Sequence, residues 1–163
     1  MLSHNQVPVT QKGYEKLKEK LKHLKSVERP QVIKEISQAR ALGDLSENAE
    51  YHAARDKQSF IEGQISELES KLGNAQIIDI SKGKADKIVF GVTVELLDVT
   101  DESKNEKKTY KIVGDLEADI KLNAISISSP LAKSLINKKV GDLVTVSLPK
   151  GEKYYEIKKI EFK

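Results

Sequence analysis

From Gln11 to about Ala75 the apolar positions recur at helical spacing. Tyr14, Leu17, Leu21 and Leu24 stand 3, 4 and 3 residues apart, the stripe by which one helix packs along another. Pro30 interrupts it: with no N–H and a ring that clashes with the preceding turn, it should kink the helix or start a new one. The stripe then resumes at Val32 or Ile33, Ile36, Ala39 and Leu42. A second stripe, Ala54, Ile61, Ile65, Leu68, Leu72 and Ala75, keeps steps of 7, 4, 3, 4 and 3. Between the stripes lie Gly43, Asp44, Leu45, Ser46, Glu47 and Asn48. Gly43 suits the end of the first helix, and Asp44 or Ser46 the N-cap of the next. Two long helices joined by so short a turn run antiparallel, so the pattern predicts a helical hairpin over residues 1–75.

After Ala75 the period changes. Short β-branched or alternating runs cover 76–80, 92–97, 109–113, 125–128, 144–148 and 154–160, which is the grammar of strands. Gly83, Gly91, Gly114, Gly141 with Asp142, and Pro149 to Gly151 supply turns between them. Ser129 and Pro130 ahead of 131–136 read as an N-cap and a first-turn proline opening a short amphipathic helix. Residues 76–163 are therefore expected to form a small α+β domain, a curled antiparallel sheet with one helix.

The length of the hairpin changes the picture further. At about 1.5 Å per residue, a helix from Gln11 to Leu42 would run for about 48 Å. A compact domain of the whole chain's length has a radius of gyration of about 15 Å, so the hairpin is expected to project as a rod with charged outer faces.

Composition narrows the function. Of 163 residues 33% are charged, yet 28 Lys and Arg against 25 Asp and Glu leave a formal charge of only +3. The balance holds in each half, 12 basic against 11 acidic residues up to Ala75 and 16 against 14 beyond it. That speaks against a tail-driven nucleic-acid binder and against a disordered acidic segment. With 5% aromatic residues and no Trp, a base-stacking surface has little to work with. The absence of Cys fits a reducing cytoplasm and removes thiol nucleophiles and thiolate zinc sites. His4, His23 and His52 are not paired at ligand spacing. No run approaches the roughly 20 apolar residues of a membrane span, and residues 1–10 do not read as a secretory signal. A soluble protein is expected.

The candidate chemistry sits at the hairpin turn. Asp44 and Glu47, three residues apart around it, can converge on one small cation. Mg²⁺ takes six oxygen ligands and commonly only one or two carboxylates, so two tip acids amount to half a metal site, useful if a rod delivers it into another protein's cavity. Arg40 and Arg55 flank the tip with charge suited to phosphates. The alternative is structural. Asp44 can cap the second helix, Glu47 or Glu50 can complement the positive end of its dipole, His52 and Tyr51 can pack, and the arginines can be solvated or ion-paired. Spacing leaves both readings open.

A longer match favours the first. The run from Gly43 through Asp44, Leu45, Ser46, Glu47, Asn48, Ala49, Glu50, Tyr51, His52, Ala53 and Ala54 to Arg55 resembles the bacterial Gre transcript cleavage factors, as do residues 60–65 and 72–79. Further matches at 9–17, Arg29 with Pro30, 129–131, 139–142 and 155–157 extend the resemblance over nearly the whole chain. It implies an N-terminal antiparallel coiled coil and a C-terminal FKBP-like domain that binds RNA polymerase. The coiled coil would reach through the polymerase's secondary channel, and Asp44 and Glu47 would help hold a shared catalytic Mg²⁺. The polymerase would then cleave its own backtracked transcript, with Arg40 and Arg55 contacting the extruded RNA 3′ end. The factor would be cytoplasmic, monomeric and not itself the enzyme. Ser46 falls at a variable position of the family and carries no assigned role. The balanced charge argues against the more basic branch, and the retained acids argue against relatives that inhibit polymerase. A non-catalytic coiled-coil adaptor and a prolyl isomerase, the latter built on Phe90, Tyr110, Tyr154, Tyr155 and Phe162, are the competing functions.

Overall fold

A computed structural model describes residues 6–80 and 86–162. His4 and the turn expected at Gly83 lie outside the described residues. The chain forms two compact units: Tyr14–Ala75, and Gln76 onward joined by the residues up to Gly13.

In the first unit, α1 (Gln11–His23, whose first turn belongs to the other unit) runs into a π-helical turn at Leu24–Glu28. It continues as α2 (Arg29–Arg40) and is followed by α3 (Ala49–Gly73). Pro30 sits in the first turn of α2, on a helical path that continues from α1, so its missing N–H removes a bond to the preceding turn. The break expected there takes the form of the wider turn just before it. The seam is narrow. Leu24, Val32, Ile61, Ile65 and Leu68 form its buried cluster, and Leu17 and Leu21 pack half-buried against it. Ile36, Ala39 and Ala54 are buried as well. The pattern left Val32 and Ile33 open. Val32 is fully buried and Ile33 is 52% exposed. Leu42, expected in the stripe, is 69% exposed, because α2 ends at Arg40 and the chain has already left the helical path. Ion pairs flank the seam: Arg29 forks onto Glu62 with bonds of 2.7 and 2.8 Å, Lys57 reaches Glu35 at 3.0 Å, and Lys25 pairs with Glu69.

The second unit is built on a five-stranded sheet of β3 (Val92–Asp98), β4 (Glu106–Val113), β5 (Ala124–Ser126), β6 (Leu143–Leu148) and β7 (Gly151–Phe162). The order is β5-β4-β3-β7-β6. Every neighbouring pair is antiparallel except β4 with β5, where Ile112 stands opposite Ile125 in a parallel register. The sheet is therefore mixed, which corrects the antiparallel sheet expected. Tight hairpins make antiparallel neighbours, and a parallel pair needs a return crossover. Here that crossover is the segment 114–123 with its 3₁₀ turn at Ile120–Leu122. The register between β3 and β7 shifts at Glu95 and Leu96, the kind of irregularity that bends a strand and lets a sheet curl. Helix α4 (Pro130–Leu135) is capped by Ser129, whose hydroxyl oxygen accepts the Ala132 N–H at 3.2 Å. Its Ala132 and Leu135 join Val94, Leu96, Ile112, Val146 and Ile157 in one core.

A two-stranded sheet, β1 (Val7–Thr10) with β2 (Ala75–Ile78), stands apart from the five strands. Four residues with a proline among them gave the sequence no strand signal. Glu117 ties β1 down by accepting the Thr10 N–H at 3.0 Å, the Thr10 hydroxyl and the Gly114 N–H at 3.3 Å. The approach is close at two glycines, and at Gly114 it is backbone that a side chain would meet. A Cβ at Gly13 would overlap the Glu117 carboxylate, and one at Gly114 would overlap the Pro8 carbonyl oxygen.

The hairpin tip as candidate functional site

The tip is what remains between two helix ends that must each dispose of unpaired backbone groups. Helix α2 closes with weakening bonds, Ala41 N–H to Ser37 O at 3.3 Å and Gly43 N–H to Arg40 O at 3.4 Å. Gly43 follows at φ +119°, a backbone state that favours glycine. The helix has already ended by then: its cap is Ala41, two residues before the Gly43 that the spacing pointed to.

The N-cap of α3 is neither Asp44 nor Ser46, the residues the spacing pointed to. Asn48 takes that place, its Oδ1 accepting the Tyr51 N–H at 3.0 Å while its Nδ2 donates to Ala39 O at 2.6 Å. Glu50 lies in the first turn of α3, where a negative charge complements the helix dipole. Asp44 and Glu47 lie ahead of that cap, and neither is the residue that caps the helix.

Both acids are exposed. Asp44 Oδ1 accepts the Ser46 hydroxyl at 2.8 Å and the Ser46 N–H at 3.0 Å. Those two bonds, the hydroxyl's first, hold the Asp44 carboxyl below its usual range despite a small opposing effect of burial. Ser46 is a contributor that the sequence reading passed over. An acid two residues before a serine is the pattern of a side-chain turn, and that signal was available. Among the described residues no hydrogen bond or ion pair reaches Asp44 Oδ2 or the Glu47 carboxylate. Two hard carboxylates that no ion pair engages among the described residues fit a divalent cation such as Mg²⁺. Among the described residues no group of three or more His, Cys, Asp or Glu gathers at one point, so the tip offers a cation two residues and no cage.

The two arginines fall on one face. Arg40 and Arg55 line a groove between α2 and α3 together with Ile33, Ile36, Ser37 and Gln58. Another groove between the same helices carries Glu35, Glu50 and Lys57, so the hairpin has a basic side and a mixed one near the tip. The Arg40 guanidinium carbon lies 5.8 Å from the centre of the Tyr51 ring, within cation–π range. His52 is exposed and meets Tyr51 edge to face at 5.5 Å, a packing partner. Among the aromatics of the isomerase alternative, Tyr155 is buried in the sheet core, Tyr110 and Phe162 pack against that core, and Tyr154 is 43% exposed. They serve the interior or the surface.

Among the described residues no helix is long and apolar enough to cross a membrane. Residues 7–77 match the N-terminal family of transcription elongation factors GreA and GreB, and residues 82–162 match their C-terminal family. The chain is 58% identical over 156 residues to transcription elongation factor GreA of Xanthomonas axonopodis pv. citri, covering 95% of this chain and 97% of that protein. It is 55% identical over 159 residues to the GreA of Baumannia cicadellinicola, covering 97% and 99%. A crystal structure of GreA factor homolog 1 from Thermus thermophilus, 26% identical, aligns over 96% of this chain and 99% of that one with a TM-score of 0.44.

Proposed function

The chain belongs to the GreA/GreB family of transcription elongation factors, and from that premise we propose that its tip acids complete a metal site inside RNA polymerase. As a GreA-like member it stimulates transcript cleavage that is the polymerase's own activity and is not itself the nuclease. Asp44 and Glu47 are the residues that would hold a Mg²⁺ shared with the polymerase. When bound, that ion supplies an acidified water and charge neutralisation at the scissile phosphate. The chain's own part is positional. Ser46 keeps one oxygen of Asp44 occupied, and the other, with no hydrogen-bond partner among the described residues, would serve as the ligand. Arg40 and Arg55, side by side in one groove, hold phosphates of the extruded RNA 3′ end by charge-assisted hydrogen bonds. The five-stranded unit from residue 76 on is the part that docks on the polymerase, while the hairpin enters its secondary channel. The protein acts as a monomer in the cytoplasm.

One observation supports this reading: the turn's capping is done by Asn48, and the two carboxylates ahead of it are exposed and have no ion-pair partner among the described residues. The test is cleavage of backtracked RNA in stalled polymerase complexes with Mg²⁺. The wild-type protein should shorten the transcript only when polymerase is present. The Asp44→Asn/Glu47→Gln double variant should still compete for polymerase but leave cleavage at the unstimulated rate. Stimulation by the double variant at the wild-type rate would sink the mechanism.

A further inference from the structure

The bonds at the tip single out a side chain whose two partners are both backbone groups. Asn48 reaches in two directions at once. Its Nδ2 donates to the carbonyl of Ala39 at 2.6 Å, and its Oδ1 accepts the N–H of Tyr51 at 3.0 Å. Ala39 is 3% exposed and belongs to the last turn of α2, while Tyr51 lies in the first turn of α3. One amide therefore adds a second bond to a carbonyl of one helix that the Leu42 N–H already reaches at 3.1 Å and satisfies an orphan N–H of the next, and in doing so straps the two helices together at the base of the loop. A side chain that served as a cap alone would need only its oxygen.

What the strap encloses is the segment 40–47, which contains Arg40 at one end, both acids, and Glu47 directly before Asn48 in sequence. The Tyr51 ring that stands near the Arg40 guanidinium hangs from the residue whose N–H Asn48 accepts. Loop residues are exposed from Arg40 to Glu47, so packing does little to hold them. Their position depends on where the chain leaves α2 and where it enters α3.

We propose that Asn48 is the positioning residue of the tip, an amide strap between α2 and α3 that sets where the Asp44 and Glu47 carboxylates are presented. The inference rests on the reading that these acids act in transcript cleavage. It requires that loss of the strap lower the rate at saturation while polymerase binding stays as it was. A misplacement near 1 Å at a reacting centre can cost about 100-fold, so the expected loss is at least about tenfold.

Asn48→Ser separates the strap from the cap, because serine is as good an N-cap as asparagine but too short to reach Ala39 O. Cleavage is measured against factor concentration for the wild type, Asn48→Ser, Asn48→Ala and the Asp44→Asn/Glu47→Gln double variant, with thermal melting of each. Both Asn48 variants should reach half-saturation at the wild-type concentration with a saturated rate at least about tenfold lower. Asn48→Ser should melt with the wild type. If serine restores what alanine loses, capping accounts for Asn48 and the strap is overturned. A raised half-saturating concentration with an unchanged saturated rate would overturn it too. Full cleavage by the double acid variant would instead remove the reading beneath the proposal, whatever Asn48 does.

Discussion

Along the hairpin the interior is a single seam. Val32 and Ile61 are buried, but Val27, Ile33 and Phe60, on the same helical stretch, are 52%, 52% and 67% exposed. In the five-stranded unit Val92, Val94, Leu96, Ile112 and Ile157 of the strands, Ile88 ahead of them and Leu135 of α4 are all wholly buried in one core. Two antiparallel helices can hide only the stripe between them, whereas a curled sheet with a helix against it encloses a volume. The contrast fits a division of labour. A thin rod has little surface to spare from solvent and is free to carry exposed acids at its end. The thicker unit can hold the rigid surface needed for docking.

Deleting the acids should have the largest effect, on function alone. Asp44→Asn/Glu47→Gln should remove stimulated cleavage and leave the melting temperature nearly unchanged, because both acids are exposed and lie outside the buried seam. Differential scanning calorimetry beside the cleavage assay checks both halves of the statement. A large loss of stability would show that the tip supports the rod, against the contrast drawn here.

The next effects fall on stability and compare the units directly. Leu96→Ala opens a cavity at a site with no solvent path, and Ile61→Ala one in a seam that can close or admit water. Large-to-small core changes cost about 2–5 kcal/mol, with the spread set by how far the site collapses. Leu96→Ala should therefore approach the upper end of that range and Ile61→Ala the lower. Chemical denaturation gives the two values, and amide hydrogen exchange should show β3, β4 and β7 loosened by the first and α2 and α3 by the second. Equal costs would mean that the seam is as enclosed as the sheet core.

That same difference explains what could be read from the sequence. The hairpin was legible because its stripe is a local periodicity: Ile61, Ile65 and Leu68 announce their own burial by spacing. Most strands of the sheet were legible for the same reason. The strand at 125–128 was legible too, but its parallel pairing with β4 was not, because direction is fixed by the crossover through 114–123 and no local pattern encodes it. Strand β1 depends on Glu117, more than a hundred residues away. At the tip, Asp44, Glu47, Arg40 and Arg55 were named from charge and from the resemblance. Asn48 was missed as the cap because Asp44, Ser46 and Asn48 are all good N-cap residues, and only the path of the backbone decides which of them stands one residue before Ala49. Its second bond, to Ala39 across the hairpin, has no counterpart in sequence spacing.

The smallest predicted effect concerns the charges along the rod. Arg29 forks onto Glu62 across the seam, and that hydrogen-bonded pairing raises the Arg29 pKa and lowers that of Glu62 from 4.5. Since the Glu62 carboxyl is more acidic when folded, the pair stabilises the hairpin above the ordinary carboxylate range and loses its effect as pH falls through the lowered value. Arg29→Gln should thus lower the melting temperature slightly at neutral pH in dilute salt, and the difference should vanish in acid. It should also close at 1 M salt, where the screening length is about 3 Å, as expected for an exposed pair. A difference that survived both acid and salt would point to the packing of the Arg29 stem against the seam. In that case more of the hairpin's stability would come from side-chain burial than its narrow row of aliphatics suggests, and the contrast with the sheet unit would shrink accordingly.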